Sequence, residues 1–196
     1  MANHVHTNIN IRFDDTKALD KFKFEVLQYD RWMRYPDESA TTYWERIENL
    51  RDAYFKIICP DVENTFNDFI EKLGAKWISF DDIDFDDTEM VLTITSAWSP
   101  AFGLFERIYK HVAELDPEAS LLITWEDEGF NFIGAASYNK NGDDFDEYVP
   151  TEDDLELLSF EDADEDRSDE FYELISDKMN DLMDCVLYNT SFKLNT

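Results

Sequence analysis

Apolar and polar residues alternate along the first stretch of the chain, residues 4–13. This period of two predicts a β-strand that buries one face and exposes the other. The positions that share the predicted buried face are Val5, Thr7, Ile9, Ile11 and Phe13. We therefore expect a half-buried strand close to the start of the chain.

Three helices are predicted next, because apolar residues recur every three or four positions. The first covers residues 17–29, and the second has its last apolar residue at Ile58. These two helices form a helical insertion, residues 17–58, within the core. The third has its apolar stripe over residues 62–73 and ends at Gly74, since glycine best tolerates the left-handed conformation that stops a helix.

A hairpin and a fourth helix follow. Strands are predicted at residues 75–80 and 88–97, separated by an acidic turn at residues 81–87. Ser99 and Pro100 then predict the N-cap and the first residue of a helix, because the missing N–H of proline costs nothing at that position. The apolar stripe of this helix is expected to pack on the sheet.

A second hairpin is predicted from residues 121–125 and 130–138, with its turn at residues 126–129. The Asn-Gly pair that follows indicates the end of the second strand, and we expect the sheet to end there. The core domain is therefore placed at residues 1–142.

Outside the helical insertion, the predicted elements occur in the order strand, helix, two strands, helix, two strands. This order predicts an α+β protein with a ferredoxin-like split βαβ antiparallel sheet and helices on one face. Four segments also resemble the YubB-like ferredoxin-like family, which bacteriophages and conjugative plasmids carry. These segments are residues 1–5 (Met-Ala-Asn-His-Val), 74–77 (Gly-Ala-Lys-Trp), 95–100 (Thr-Ser-Ala-Trp-Ser-Pro) and 126–134 (Glu-Asp-Glu-Gly-Phe-Asn-Phe-Ile-Gly). The resemblance implies a fold and a mobile-element origin, and it implies no substrate or catalytic residue.

The composition changes after residue 142. Between Asp143 and Asp184 there are 19 acidic residues and only two basic ones. Thr151 and Asp154 have the spacing of a capping box, and Ser168 can start a helix with a sustained apolar stripe. We expect residues 143–196 to be an acidic helical extension, or arm, docked on the core.

The whole chain is strongly acidic, with 46 Asp and Glu against 17 Lys and Arg and a formal net charge of −29. A surface of this sign repels nucleic acid and anionic membranes, so direct binding to either is not expected. Hydrophobic residues make up 43% of the chain, which is sufficient for a packed core. No apolar run approaches the ~20 residues of a membrane span, and the start of the sequence lacks a basic region followed by an apolar one. We expect a cytoplasmic protein, which is in the bacterial host cytoplasm if a phage encodes it.

No pattern of residues indicates a catalytic, cofactor or metal site. Cys59 and Cys185 lack metal-ligand spacing, although the sequence leaves a disulfide between them open. His4 and His6 lie on one strand face without a third ligand nearby. Residues 162–173 place oxygen ligands at calcium-loop spacing, but arginine occupies the position of the turn glycine. We expect a non-enzymatic protein without a cofactor or bound metal.

Acidity on several predicted elements suggests a nucleic-acid mimic. In this hypothesis, carboxylates fixed on a folded surface imitate phosphates and occupy the basic groove of a host protein that handles DNA or RNA, as an inhibitor would. The candidate partner-binding residues are Asp81, Asp82, Asp84, Asp86, Asp87, Glu126, Asp127, Glu128, Asp153, Asp154, Glu156, Glu161, Asp162, Asp164, Glu165 and Asp166.

Two alternatives remain open at this stage. The chain can be a structural or regulatory interaction module whose acidity serves only solubility or salt adaptation. It can also be a calcium-binding protein, which a chelator would reveal. The sequence does not indicate the oligomeric state.

Overall fold

The computed structural model describes residues 3–26, 43–63, 65–156 and 165–192. The end of the first predicted helix and the start of the second lie outside these ranges. So do Glu161, Asp162 and Asp164 of the candidate site.

All strands of the described chain belong to one sheet. The strands are β1 (His4–Arg12), β2 (Ile78–Phe85), β3 (Glu89–Ala97), β4 (Ser120–Asp127), β5 (Ile133–Asn139) and β6 (Gly142–Tyr148). Their order across the sheet is β2-β3-β1-β4-β5-β6, and every neighbouring pair is antiparallel. The protein is therefore an α+β protein built on a six-stranded open antiparallel sheet.

Six α-helices accompany the sheet in the described ranges. They are α1 (Thr16–Lys21), α2 (Tyr43–Ile58), α3 (Phe66–Asp68), α4 (Phe102–Leu115), α5 (Glu152–Leu155) and α6 (Glu165–Phe192). The first and third continue as wider π-helical turns, over Phe22–Val26 and Phe69–Leu73. The second of these ends at Gly74 with φ 84°, which confirms the predicted left-handed stop.

The first strand is central in the sheet, and its predicted buried face is confirmed. Each of the five predicted residues is at most 1% exposed, and Val5 and Ile9 are fully buried. From Thr7 to Ile11 their partners across β3 and β4 are apolar as well; Ile9, for example, lies between Leu92 and Ile123. The main hydrophobic core forms between this face and helices α1, α2 and α4.

The opposite face of the sheet carries α6, the long helix of the predicted acidic arm. Phe171 and Ile175 of α6 are buried against Ile133 and Ala135 of β5, in a cluster separate from the main core. The first five residues of β5 are all buried, because this strand is covered on both faces. Thr190 of α6 also makes a hydrogen bond with buried Ser137, at 3.1 Å between the hydroxyl oxygens.

Two segments that were not predicted as strands belong to the sheet, one predicted as a turn and one predicted as the start of the helical extension. The predicted acidic turn belongs mostly to β2, because Ile83 packs in the core and residues 82–85 pair with β3. Its polar residues are accommodated by a register shift between Phe80 and Asp82 and by the alternation of the strand. The sheet also continues past the predicted end at residue 142, where β6 pairs along the whole of β5.

Two predicted helix starts have different outcomes. Ser99 does not cap α4: the cap position is Ala101, and the Ser99 hydroxyl donates to the carbonyl oxygen of Gly74 at 2.5 Å. The Thr151–Asp154 capping box at the start of α5 is confirmed, with both reciprocal hydrogen bonds present.

An ion pair between Asp61 and Arg107 ties the end of the α2 region to α4, with two N–O distances of 2.6 and 3.0 Å. The hydrogen bond from Arg107 holds the pKa of Asp61 at about 2, below its ordinary value. We expect a carboxyl-carbon NMR titration to show this low pKa. The stabilisation is then present above pH ~4 and is lost as the pH falls towards 2.

The Arg107→Gln variant is the control for this titration. It removes the charge and the paired donors, so the pKa of Asp61 should return towards its ordinary value. An unchanged titration in the variant would contradict the assignment of the ion pair as the cause.

Candidate functional site

The candidate acidic residues lie in three separate places. One group lies on β2 and at the tip of the β2–β3 hairpin, a second lies in the β4–β5 turn, and a third follows β6. The register of β1 shows that the hairpin tip, with Asp86 and Asp87, and the β4–β5 turn are at opposite ends of the sheet, because Arg12 pairs with Glu89 and Val5 pairs with Asp127. Seven residue steps of ~3.3 Å separate those positions by roughly 23 Å along the strands.

The β2 group is partly engaged in local contacts. Asp81 accepts a hydrogen bond from the Thr95 hydroxyl at 2.5 Å, and His6 Nδ1 lies 3.2 Å from the same hydroxyl oxygen. Asp82 is half-buried, whereas Asp84 is exposed. Asp86 and Asp87 are exposed at the hairpin tip. These carboxylates face solvent from the sheet edge opposite to β6.

The β4–β5 turn contains one residue that has to be removed from the candidate surface. Asp127 is 1% exposed, and its carboxylate accepts hydrogen bonds from the amides of Gly129 and Asn131. It therefore shapes the turn and cannot present charge to a partner. Glu126 and Glu128 flank it on the surface, and Glu128 is 3.2 Å from His4 Nδ1.

The third group begins at the capping box of α5. Asp154 accepts hydrogen bonds from Thr151 and from the Tyr148 hydroxyl, and these lower its pKa. The same contact raises the pKa of Tyr148 to about 12, since ionised Tyr148 would face the carboxylate. Asp153 and Glu156 are exposed beside it. The backbone of Glu165 and Asp166 lies in the first turn of α6.

The structure also shows a row of carboxylates that the candidate set omits. Exposed acidic residues recur every three or four positions along α6, which places them on one stripe of the helix. We call this stripe, together with the acidic residues on the adjoining face of β6, the acidic ridge. It consists of Glu170, Glu173, Asp177, Asp181 and Asp184 of α6 and Asp144 and Asp146 of β6.

Contacts on its two flanks show how α6 lies on the sheet. Asn189 of α6 donates to the Asp144 carboxylate at 2.8 Å, which holds the helix over β6. On the other flank of α6, Tyr172 and Asn180 line a cleft with Glu126 of β4. The acidic stripe lies on the side of α6 away from the buried residues Phe171, Ile175 and Leu182, so it faces solvent.

Little positive charge opposes this surface. Lys178 lies on the same helix, but its Nζ sits 5.3 Å from the centre of the Tyr148 ring, towards β6. The helical stripe alone provides one carboxylate per ~5 Å of axis. A single DNA strand carries one phosphate per ~3.4 Å, and β6 adds a second row of carboxylates beside the first.

The remaining chemistry of the described residues is structural. Both cysteines are free thiols, so the disulfide left open by the sequence is not formed. Burial is the main cause that raises the pKa of Cys59 to about 11, which keeps it protonated. Within the described ranges, no group of three His, Cys, Asp or Glu side chains is arranged to hold a metal. No helix in the same part of the chain is both long and apolar enough to cross a membrane.

The chain shows little similarity to known proteins. No protein-family model matches the chain. No curated protein matches it either. Among solved structures it is similar to api92 from Yersinia pseudotuberculosis, described as family DUF1281, with a TM-score of 0.47 and 9% identity. That match covers 77% of this chain and 99% of the other.

Proposed function

We propose that this chain is a non-enzymatic acidic binding protein whose acidic ridge imitates nucleic-acid phosphates and occupies the basic groove of a host DNA- or RNA-handling protein. The observation that carries the proposal is the row of exposed carboxylates on α6, held beside those of β6 by a buried contact surface. The partner is then a protein in the cytoplasm, and neither nucleic acid nor a membrane is bound directly.

The topology supports a mobile-element origin through the family resemblance. We infer that the first four strands and their helices form a ferredoxin-like split βαβ unit. The supporting observation is the strand order β2-β3-β1-β4. In this order β3 lies between β2 and β1, and β1 lies between β3 and β4. Strands β5 and β6 and helix α6 are then additions to this unit at one edge, and they carry the acidic ridge.

A docked helix is a better mimic than a flexible acidic segment. Phe171, Leu182 and Val186 of α6 are buried at intervals along the helix, so the backbone that carries the carboxylates is held on the sheet. Preorganised charges bind a partner without the loss of conformational entropy that an ordering segment would incur. The carboxylates repel one another in the free protein, and a cationic partner relieves that repulsion. Binding should therefore weaken as salt is added.

The test compares two charge reversals of equal size. In one variant Asp177, Asp181 and Asp184 of the acidic ridge become lysine; in the matched control Asp84, Asp86 and Asp87 of the β2–β3 hairpin become lysine. All six carboxylates are exposed, so both variants should fold, which circular dichroism would check. Each protein is immobilised and exposed to bacterial lysate at low and moderately high salt, with duplex DNA added to parallel samples.

We expect the wild-type protein and the hairpin variant to retain the same DNA- or RNA-binding proteins, which salt and duplex DNA both release. The ridge variant should lose them. Equal retention by both variants, or retention that neither salt nor DNA reduces, would contradict mimicry by the acidic ridge.

The alternative is a protein-interaction module in which charge serves only solubility. The exposed aromatic side chain of Phe145, on the edge strand β6, favours it. In that case complex formation should be almost insensitive to salt. The calcium-binding alternative predicts instead that a chelator releases the partner.

A further inference from the structure

A groove of about 630 Å³ runs beside β6 on the face of the sheet opposite to α6. Aromatic side chains from α4, β5 and β6 line it, namely Phe102, Tyr109, Tyr138 and Phe145. The ring of Phe145 packs against Phe102 at 5.6 Å between centroids, yet Phe145 remains 63% exposed. A concave aromatic surface of this kind is typical of a site that receives an apolar side chain.

The same strand has an open edge. β6 is the last strand of the sheet, and no strand in the described part of the chain pairs with its outer side. An open edge offers backbone donors and acceptors to any extended chain, so proteins protect such edges with charge. Here the edge strand carries Asp144, Asp146 and Glu147, which repel a second copy of this chain. The edge therefore excludes self-pairing and admits a cationic strand.

The groove itself has a negative electrostatic environment. Burial is the largest cause that raises the pKa of Tyr138 to about 12, and the charges of Asp143 and Glu106 raise it further. Lys110 lies on the groove wall but forms an ion pair with Glu106 at 2.6 Å. A ligand with cationic groups is therefore favoured over an anionic one on this side as well.

We propose that β6 binds an extended basic segment of a partner protein as a seventh strand, with alternate side chains apolar and cationic. This inference rests on the proposed function, since the partner is the same basic protein. Side chains of a strand alternate between the two faces of a sheet. On one face, the apolar side chains of the added strand would lie beside Phe145 and the aromatic groove. On the other face, its lysine or arginine side chains would lie beside Asp144 and Asp146 of β6.

The probes are two synthetic nine-residue peptides with the same composition of lysine and valine. In one, lysine and valine alternate; in the other, the lysines form one block and the valines another. Binding of each peptide to the full chain is measured by calorimetry, and NMR locates the amides that shift. Phe145→Ala tests the groove, and Phe66→Ala is the matched control, because Phe66 is 50% exposed and does not line the groove.

We expect the alternating peptide to bind at least about tenfold more tightly than the block peptide and to shift the amides of β6. Phe145→Ala should weaken the alternating peptide by about tenfold, as loss of a central aromatic contact does. Phe66→Ala should leave its affinity unchanged.

Equal binding of the two peptides, with no effect of Phe145→Ala, would overturn the strand-addition inference. The proposed function would survive that result if the ridge charge reversal still abolished capture of basic proteins from lysate. If neither peptide binds and the ridge reversal leaves capture unchanged, both the inference and the proposed function fail.

Discussion

Replacing Gly103 with alanine should lower the free energy of unfolding by about 2–3 kcal/mol, the range for forcing extra volume into a packed contact. Gly103 lies in the first turn of α4, where the same change in an exposed helix would stabilise by ~1 kcal/mol. Here an added Cβ would lie 2.3 Å from the carbonyl oxygen of Lys72 and 2.9 Å from the Cα of Leu73. Both atoms belong to backbone, so α4 and the end of the α3 region would have to move apart.

Urea denaturation followed by tryptophan fluorescence measures this loss. Gly129→Ala is the control, because its Cβ would approach only side-chain atoms, of Asn131 at 3.0 Å and Asp127 at 3.2 Å. A turn of this kind can adjust, and we expect a change below about 1 kcal/mol. A Gly103→Ala protein as stable as the wild type would contradict the close approach of the two helices.

Replacing Phe171 with alanine should release much of α6 from the sheet, with a cost of about 3–5 kcal/mol. Phe171 is fully buried, and its ring packs edge-on against Phe130 with centroids 5.2 Å apart. The cluster around it is separate from the main core. Hydrogen exchange should therefore accelerate in α6 and β6 first, while β1, β3 and β4 keep their protection.

The neighbouring Tyr172→Ala is the control for this result. Tyr172 is 54% exposed, so its removal should cost much less than that of Phe171. Unchanged exchange in α6 of the Phe171→Ala protein would show that the helix does not depend on this contact. If α6 is released as expected, the acidic ridge loses its fixed geometry and capture of basic proteins should weaken.

The core was predictable wherever one strong periodicity governed a segment. The alternation of residues 4–13 predicted the buried face of β1, and the stripe of α4 included Phe105, Ile108 and Val112, all fully buried. In these segments the local pattern and the tertiary packing demand the same structure. Local sequence is then sufficient to identify both the element and its buried face.

The missed strands are those in which local polarity and tertiary pairing disagree. Asp82 and Asp84 suggested a turn, yet they project from the polar face of β2 while Ile83 faces the core. In β6, Phe145 and Tyr148 are the only large apolar or aromatic residues, and the strand is held by its pairing with β5. Tertiary pairing is absent from the local pattern, so the sequence alone did not indicate a strand at either place.

The sequence was sufficient to predict that the candidate site is acidic, but not where its carboxylates lie on the fold. Composition showed the acidity, and the capping box of Asp154 was readable from spacing. Strand order and register decide which carboxylates lie next to one another. They place Asp86, at the tip of the β2–β3 hairpin, far from Glu126. The burial of Asp127 likewise depends on a turn that its own carboxylate organises. One usable signal was missed, namely the three- and four-residue spacing of acidic residues in α6.

The central position of β1 has a consequence for how the protein is made. Its partners are β3 and β4, so His4 pairs with Ala97, and Val5 with Asp127. Contacts between segments this distant along the chain slow folding. During synthesis, the first strand leaves the ribosome long before either neighbour exists, at roughly 5–20 residues per second. The sheet can close only after Asp127 has emerged, and until then the apolar face of β1 is available to chaperones.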